Sequence, residues 1–467
     1  MVVNRVSFQR YAGYLCSVAG AKAAGMFITA LTFPYLVRRL GVEVYGQWSY
    51  VVAVCAFVNI VADPGMNVFL TQRLAARREA AFEFIPDVLF LRLLACLIAA
   101  VAVSAVASHE PNESVRHLLR FYGVGVLVVN LVFADHLLTA LELFHIRSLL
   151  NVMQQLIYAS MIFMFVRNTG DVVWVPISIL CSSILCSAIA WTVLWRDGLR
   201  FRLRLRPRYW TEILRPSFHY AGSTLMSNLY HRTGHVVVRW FLGDFDLGLY
   251  AAAVRLVDIV RGLIITFCQV LMPRIAVADS LERLQKLARF ATSVIAVTSI
   301  PLTFGLIGTA HLIVPWVMGN RFSSAAPVLQ WMSPYLITAS GASLFCGTIL
   351  FAMGRHRAYL ASTAAGAIVG TSLYVILVPT FGLRGAALAL VIAELVVATT
   401  ALSKLPELHG SWRSPLPWVA FGSAMLMLFA IRVTTTYTSQ ILIVLLIGAG
   451  VYVMTCGWYV RRLLIHA

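Results

Sequence analysis

This chain of 467 residues predicts an all-α polytopic membrane protein, and three observations carry that reading. Hydrophobic residues make up 60% of it and charged residues 12%, where a soluble domain is nearer one quarter charged. The mean hydropathy is +0.83. Apolar stretches of about 20 residues, the length of a helix across a bilayer, recur along the whole chain between short polar or basic segments.

The first ten residues are polar and basic, and the apolar run after them continues to about residue 35. That is longer than the core of a signal peptide, so it is predicted to stay as a span. Fourteen spans follow the hydropathy: roughly 11–35, 47–70, 88–108, 118–138, 150–167, 172–195, 217–241, 246–272, 290–311, 328–351, 358–379, 384–403, 416–432 and 439–460. Without the last pair, twelve remain. Pro34, Pro64, Pro176, Pro216, Pro301, Pro334 and Pro379 lie within or at the ends of spans, where each removes a helix hydrogen bond and permits a kink. Asp63-Pro64-Gly65 predicts a break in span 2.

With the N-terminus in the cytoplasm, the inner segments hold 23 Lys and Arg against 8 outside, which favours both termini inside. The densest run, Arg196 to Arg208, alternates Arg with apolar residues. It suits a topology anchor and linker, and equally a segment lying on anionic headgroups. The net charge of +18 is thereby used for orientation; no nucleic-acid-binding motif accompanies it, and nucleic acid is not an expected partner. The eight cysteines all fall in apolar stretches with no CxxC. They read as small core residues rather than a disulfide framework or metal site, and no cofactor is expected. No HExxH, GxSxG or P-loop pattern points to an enzyme.

The halves align without a gap at an offset of 202 residues: Ala19-Gly20 with Ala221-Gly222, and Leu40-Gly41-(x4)-Gly46 with Leu242-Gly243-(x4)-Gly248. Six spans return the chain to the same side, so such copies are parallel, related by an axis along the membrane normal. The expected organisation is two pseudo-symmetric six-helix lobes around a central cavity plus two C-terminal helices. The lobes cover residues 1–195 and 217–403, joined by a basic cytoplasmic linker, 196–216, and followed by the additional spans within 404–467.

Spans 7 and 8 carry Arg232, Arg239, Arg255 and Arg261 where a membrane helix should carry none. Each costs roughly 2.5–3.5 kcal/mol at mid-bilayer even on a lenient scale, so they need water, a partner or an anion. Asn228, His231, Arg232, His235 and Arg239 share an arc of roughly 100° on span 7, and Arg255, Asp258 and Arg261 follow i, i+3, i+6 on span 8. One Asp258 carboxylate can bridge both flanking arginines. Arg239, beside Trp240, and Arg92, near the inner end of span 3, are expected to snorkel to the interfaces. Intramembrane groups that can change charge are Asp63, Asp135, Asp258 and Glu394, with His231 and His235; these are the ion-coupling candidates, Asp63 foremost.

Several segments, in order, resemble the polysaccharide flippases of the Wzx type, in the multidrug/oligosaccharidyl-lipid/polysaccharide exporter superfamily. They are Phe33-Pro-Tyr-Leu-Val-Arg-Arg-Leu-Gly-Val-Glu-Val-Tyr-Gly46, Asp63-Pro-Gly-Met-Asn67, Leu242-Gly-Asp-Phe-Asp-Leu-Gly-Leu-Tyr-Ala-Ala-Ala-Val-Arg255, Met318-Gly-Asn-Arg-Phe-(x4)-Pro-Val-Leu329 and Phe381-Gly-Leu-Arg-Gly-Ala-Ala-Leu388. The resemblance implies two six-helix lobes forming a V-shaped cavity. It implies flipping of an undecaprenyl-diphosphate-linked oligosaccharide across the bacterial inner membrane for cell-surface O-antigen or exopolysaccharide synthesis, with ion-coupled antiport. Membrane lipids, a polysaccharide polymerase and other assembly proteins would be partners. Arginine suits the diphosphate oxygens, so Arg232 and Arg255, at matched depth, are expected to grip it, with Lys22, Arg261 and Asn228 as further cavity residues. Within the same fold, a lipid II flippase or a multidrug/cation antiporter is the alternative, the excess of arginine arguing against cationic substrates. A membrane-embedded glycosyltransferase or ligase is the alternative from another class, against which stand the short outer loops.

Overall fold

The structure, a computed structural model, describes residues 5–67, 69–70, 73, 84–132, 135–141, 143–196, 205–408, 416–438 and 440–465. Every regular element among them is helical. Helix α1 (Arg5–Ala62) holds the first two predicted spans and is interrupted at Gly41, whose φ of 75° a residue with a Cβ rarely adopts. It ends where expected: Asp63, Pro64 and Gly65 leave the helix, with Gly65 at φ 95°. Next come α2 (Ile85–Ser108), α3 (Glu113–Val132), the short α4 (Asp135–Ala140), α5 (Phe144–Phe165) and α6 (Trp174–Arg196).

The basic linker lies partly outside the described residues, at 197–204. Beyond it, α7 (Trp210–Leu242) and α8 (Asp244–Ala276) are parted only by Gly243, at φ 94°. They are 33 residues each, long enough to cross a bilayer. Helix α9 (Leu281–Met318) carries Pro301 and Pro315. Then α10 (Ala325–Met332) meets α11 (Tyr335–Ala342) at a bend of 43°, and α11 continues as a π-helical stretch, Ser343–Leu350. Helix α12 (His356–Ser403) again holds two predicted spans, broken at Gly382, where φ is 58°. The last pair is α13 (Leu416–Tyr437) and α14 (Ile441–Ile465). Among the described residues the fourteen predicted stretches lie mainly on helix, seven helices, or eight with the bent pair, are long and apolar enough to cross a membrane, and the chain is a multi-pass membrane protein.

Two compact units divide the chain: Met1–Leu40 with Gln47–Asn228, and Gly41–Gly46 with Leu229–Ala467. In the first, α2 packs on α3, α5 on α6, and α3 on α6. Its core is built from Met66, Leu70, Ile85, Val88, Leu137, Leu194 and Ile213. In the second, α9 is the central strut, packed by α10, α11, α13 and α14. Gly308 makes room there, since a Cβ would come within 2.9 Å of Ile431 and Leu428 on α13. Large apolar side chains such as Ile98, Val101, Leu263, Ile368, Phe429 and Leu446 are exposed on their helices, as spans require where the solvent is lipid rather than water.

Candidate functional site

Three helices of the second unit bring charged and imidazole side chains to one place, and a fourth adds a tyrosine. Asp258 and Arg261 are one turn apart on α8, and the guanidinium Nε of Arg261 is 3.3 Å from Asp258 Oδ1. Its Nη1 is 3.6 Å from Oε1 of Glu394, on the second half of α12. The same Glu394 oxygen is 3.7 Å from Nε2 of His231 on α7. Tyr335, at the start of α11, lies with its ring 5.1 Å under the Arg261 guanidinium and donates its hydroxyl to Asp258 Oδ1 at 3.4 Å. The Glu394 side chain is only 2% exposed and that of Arg261 15%.

Local sequence explains the convergence. The two halves of α12 fold back on each other because Gly366 and Gly370 leave space: Cβ atoms there would fall 2.2 Å from Val397 and 2.8 Å from Ala393, the neighbours of Glu394. Helix α7 closes in through Gly234, whose Cβ would meet Tyr374 at 2.7 Å and the Tyr250 hydroxyl at 2.8 Å. Those two tyrosines, both fully buried, share a hydroxyl hydrogen bond of 3.0 Å. His235, one turn beyond His231, packs its ring edge-on against Tyr250, and its Nδ1 is buried without a hydrogen-bond partner.

Chemically, the groups in contact comprise one guanidinium, two carboxylates and one imidazole. With His231 neutral they sum to one negative charge, and a single proton on Glu394 or His231 cancels it. A buried uncompensated charge is costly, so the charge balance of this cluster changes with the gain or loss of a single proton. Arg232, half-buried beside His231, and Arg255, exposed one turn before Asp258, make no ion pair among the described residues.

The family of polysaccharide biosynthesis proteins matches residues 15–279, more than half of the chain. The chain belongs to that family. Two curated relatives, each named "Putative O-antigen transporter", are similar to it. The one from Escherichia coli (strain K12) is 23% identical over 86% of this chain and 97% of its own length. The one from Shigella dysenteriae is 19% identical over 79% and 93%. Among solved structures, a lipid II flippase MurJ in an inward closed conformation aligns with a TM-score of 0.76 at 15% identity, covering 97% of this chain and 99% of that one. An inward-facing multidrug resistance MATE family transporter of the MOP superfamily aligns with 0.63 at 16% identity, covering 88% and 98%. This member of the polysaccharide biosynthesis family therefore has the transporter fold of that superfamily, as its resemblance to the Wzx type implies.

In this family member, five residues singled out from the sequence, His231, His235, Asp258, Arg261 and Glu394, stand in or against the cluster. Lys22 is exposed on α1 in the first unit, and Asn228 is half-buried on α7. The side chain of Asp135 lies outside those described. Asp63 belongs to a separate network in the first unit. It accepts from Gly65 N at 3.2 Å and from the Asn67 side chain, and Arg92 Nη2 lies 3.6 Å away.

Two arginines depart from the snorkelling expected of them. Arg92 is fully buried, bonded to the Asn67 side chain and at 3.0 Å to the Asn130 carbonyl. Arg239 turns back across Gly243 to Asp244, with Nε to Oδ1 at 2.5 Å, and leaves the exposed position to Trp240. In both cases a carboxylate close enough to pair made the interface unnecessary. The tyrosines of the cluster were missed. Their signal is position: Tyr250 and Tyr374 lie within predicted spans and Tyr335 at the bend inside another, all three buried, rather than in the aromatic belts where Tyr is expected.

Proposed function

We propose that this protein is a flippase, a transporter and not an enzyme, which carries an undecaprenyl-diphosphate-linked oligosaccharide across the bacterial inner membrane by alternating access between two lobes. Both termini would be cytoplasmic, and the product would pass to a polymerase and other assembly proteins of surface polysaccharide. Family membership and the relatives' names support the lipid-linked glycan. The observation that carries the site is the pair Arg232 and Arg255, two intramembrane guanidiniums outside any ion pair among the described residues. A diphosphate bears about two negative charges at neutral pH, and arginine matches phosphate oxygens in charge and geometry. We assign coupling to the His231–Glu394–Arg261–Asp258 cluster, with a proton as the coupling ion: the Arg261 guanidinium already lies against both carboxylates, where a metal cation would have to bind, and one proton cancels the remaining negative charge.

Complementation of a strain lacking its own polysaccharide flippase tests the reading. Arg232→Ala and Arg255→Ala should each lower surface polysaccharide roughly ten- to hundredfold, the worth of a charge-assisted hydrogen bond, at unchanged membrane abundance. Wild-type polysaccharide from both variants would sink the arginine assignment. The shape shared with the MurJ structure gives a lipid II flippase as the second reading, and rescue of a strain depleted of its lipid II flippase would favour it. For coupling, Glu394→Gln should leave transport in vesicles indifferent to an imposed pH gradient; a retained response moves the proton elsewhere.

A further inference from the structure

The two glycine turns picked out by the repeat are packed into each other. A Cβ on Gly46 would sit 1.9 Å from the carbonyl oxygen of Asp244, and a Cβ on Gly248 would sit 2.0 Å from the carbonyl oxygen of Val42. At the repeat offset, Gly46 corresponds to Gly248 and Val42 to Asp244. The two contacts are therefore the same contact made twice, exchanged by a pseudo-two-fold axis running between the turns, as in an isologous interface. Each turn starts from an equivalent glycine with positive φ, Gly41 at 75° and Gly243 at 94°. Residues 41–46 accordingly belong to the second unit, while the α1 segments on either side of them belong to the first. Tyr45 adds a ring contact with Phe322, centroids 6.5 Å apart, and Asp244 is fixed by Arg239.

We propose that this reciprocal pair of glycine–carbonyl contacts is a closure: the point where the membrane side bearing both turns is shut, and which must part as a whole when that side opens. The absence of side chains at Gly46 and Gly248 is what lets the backbones meet. Close backbone approach at the two glycines adds to the packing of the buried Val42 and Tyr45 side chains. The symmetry makes it cooperative, because a displacement that lifts Gly46 from Asp244 lifts Gly248 from Val42 by the same motion.

The test is hydrogen exchange on the purified full-length protein in lipid nanodiscs. It uses no substrate, so its outcome is separable from that of the flippase assignment. In the wild type, peptides covering 41–48 and 243–250 should open with one common rate. Gly46→Ala should speed exchange in both turns by at least about tenfold, and Gly248→Ala should do the same. Alanine favours helix over glycine, so a purely local effect would instead slow exchange in the substituted turn alone. Gly222→Ala is the control, since a Cβ there meets nothing within 4 Å. Independent opening of the two turns in the wild type would overturn the proposal, and so would alanine effects confined to their own turn. Should either variant fail to accumulate, the wild-type measurement decides.

Discussion

Arg261 holds apart two carboxylates that otherwise have little reason to share the interior of a membrane protein. Removing one partner of such a group leaves charge uncompensated, at a cost of about 3–5 kcal/mol. Arg261→Ala should therefore lower the thermal unfolding midpoint of the detergent-solubilised protein more than any exposed-arginine variant. Combining it with Glu394→Gln should recover part of the loss, and strictly additive effects would show that the two side chains are not coupled. The residue scale is also where sequence reading ran short. Asp258–Arg261 was legible because i, i+3 places both on one helix face. Glu394 was legible as an intramembrane carboxylate, but no local rule joins it to partners on α7 and α8. Arg92 was misread for the same reason: depth along a helix can be counted from sequence, whereas the Asp63 and Asn67 that hold it inside depend on how α1 ends.

At the scale of elements, breaks rather than spans distinguish this chain. Gly41, Gly243 and Gly382 each reverse direction between two helical stretches with a single positive φ, and each stood out in the sequence as the glycine of a Leu-Gly or Phe-Gly pair between apolar runs. The π-helical stretch 343–350, which packs against α12, was not legible in the composition of that segment. Helix α9 begins outside the bilayer with a capped turn: the Ser280 hydroxyl accepts from Arg283 N at 3.3 Å, and Asp279 meets the Arg283 guanidinium at 3.3 Å. Asp279 is held below the usual carboxylate range by its own amide and by Arg283. A depressed carboxylate stabilises the folded turn at neutral pH, and that contribution disappears as pH falls through its folded value. Corrected for the intrinsic exchange rate, the protection of the first-turn amides of α9 should therefore fall on acidification in the wild type. Asp279→Asn should remove that step, leaving only the intrinsic pH dependence of exchange; an unchanged step in the variant would assign it to another group.

At the scale of the whole molecule, the fold class followed from composition, and the predicted stretches lie mainly on helix among the described residues. The offset of 202 residues proved to be more than a sequence echo, since equivalent glycines occupy equivalent turns and touch equivalent carbonyls. The sequence could place these turns at the same point of each half, but not show that they meet. The charge bias is of another kind, since it speaks to orientation in a membrane rather than to internal packing.

The buried Arg261–Glu394 contact also sets an order of events during synthesis. The two residues are 133 positions apart, so at about 5–20 residues per second Arg261 is made some 7–27 s before Glu394. During that interval α8 must enter the bilayer with its guanidinium, and the only acidic companion within a turn is Asp258. Asp258 is then an insertion escort before it is anything else. Asp258→Asn should reduce the amount of protein reaching the membrane in pulse-labelled cells while leaving the assembled fraction nearly as heat-stable as wild type. Glu394→Gln should show the reverse, normal insertion with a less stable product. Equal insertion of the two variants would mean that Arg261 crosses without help.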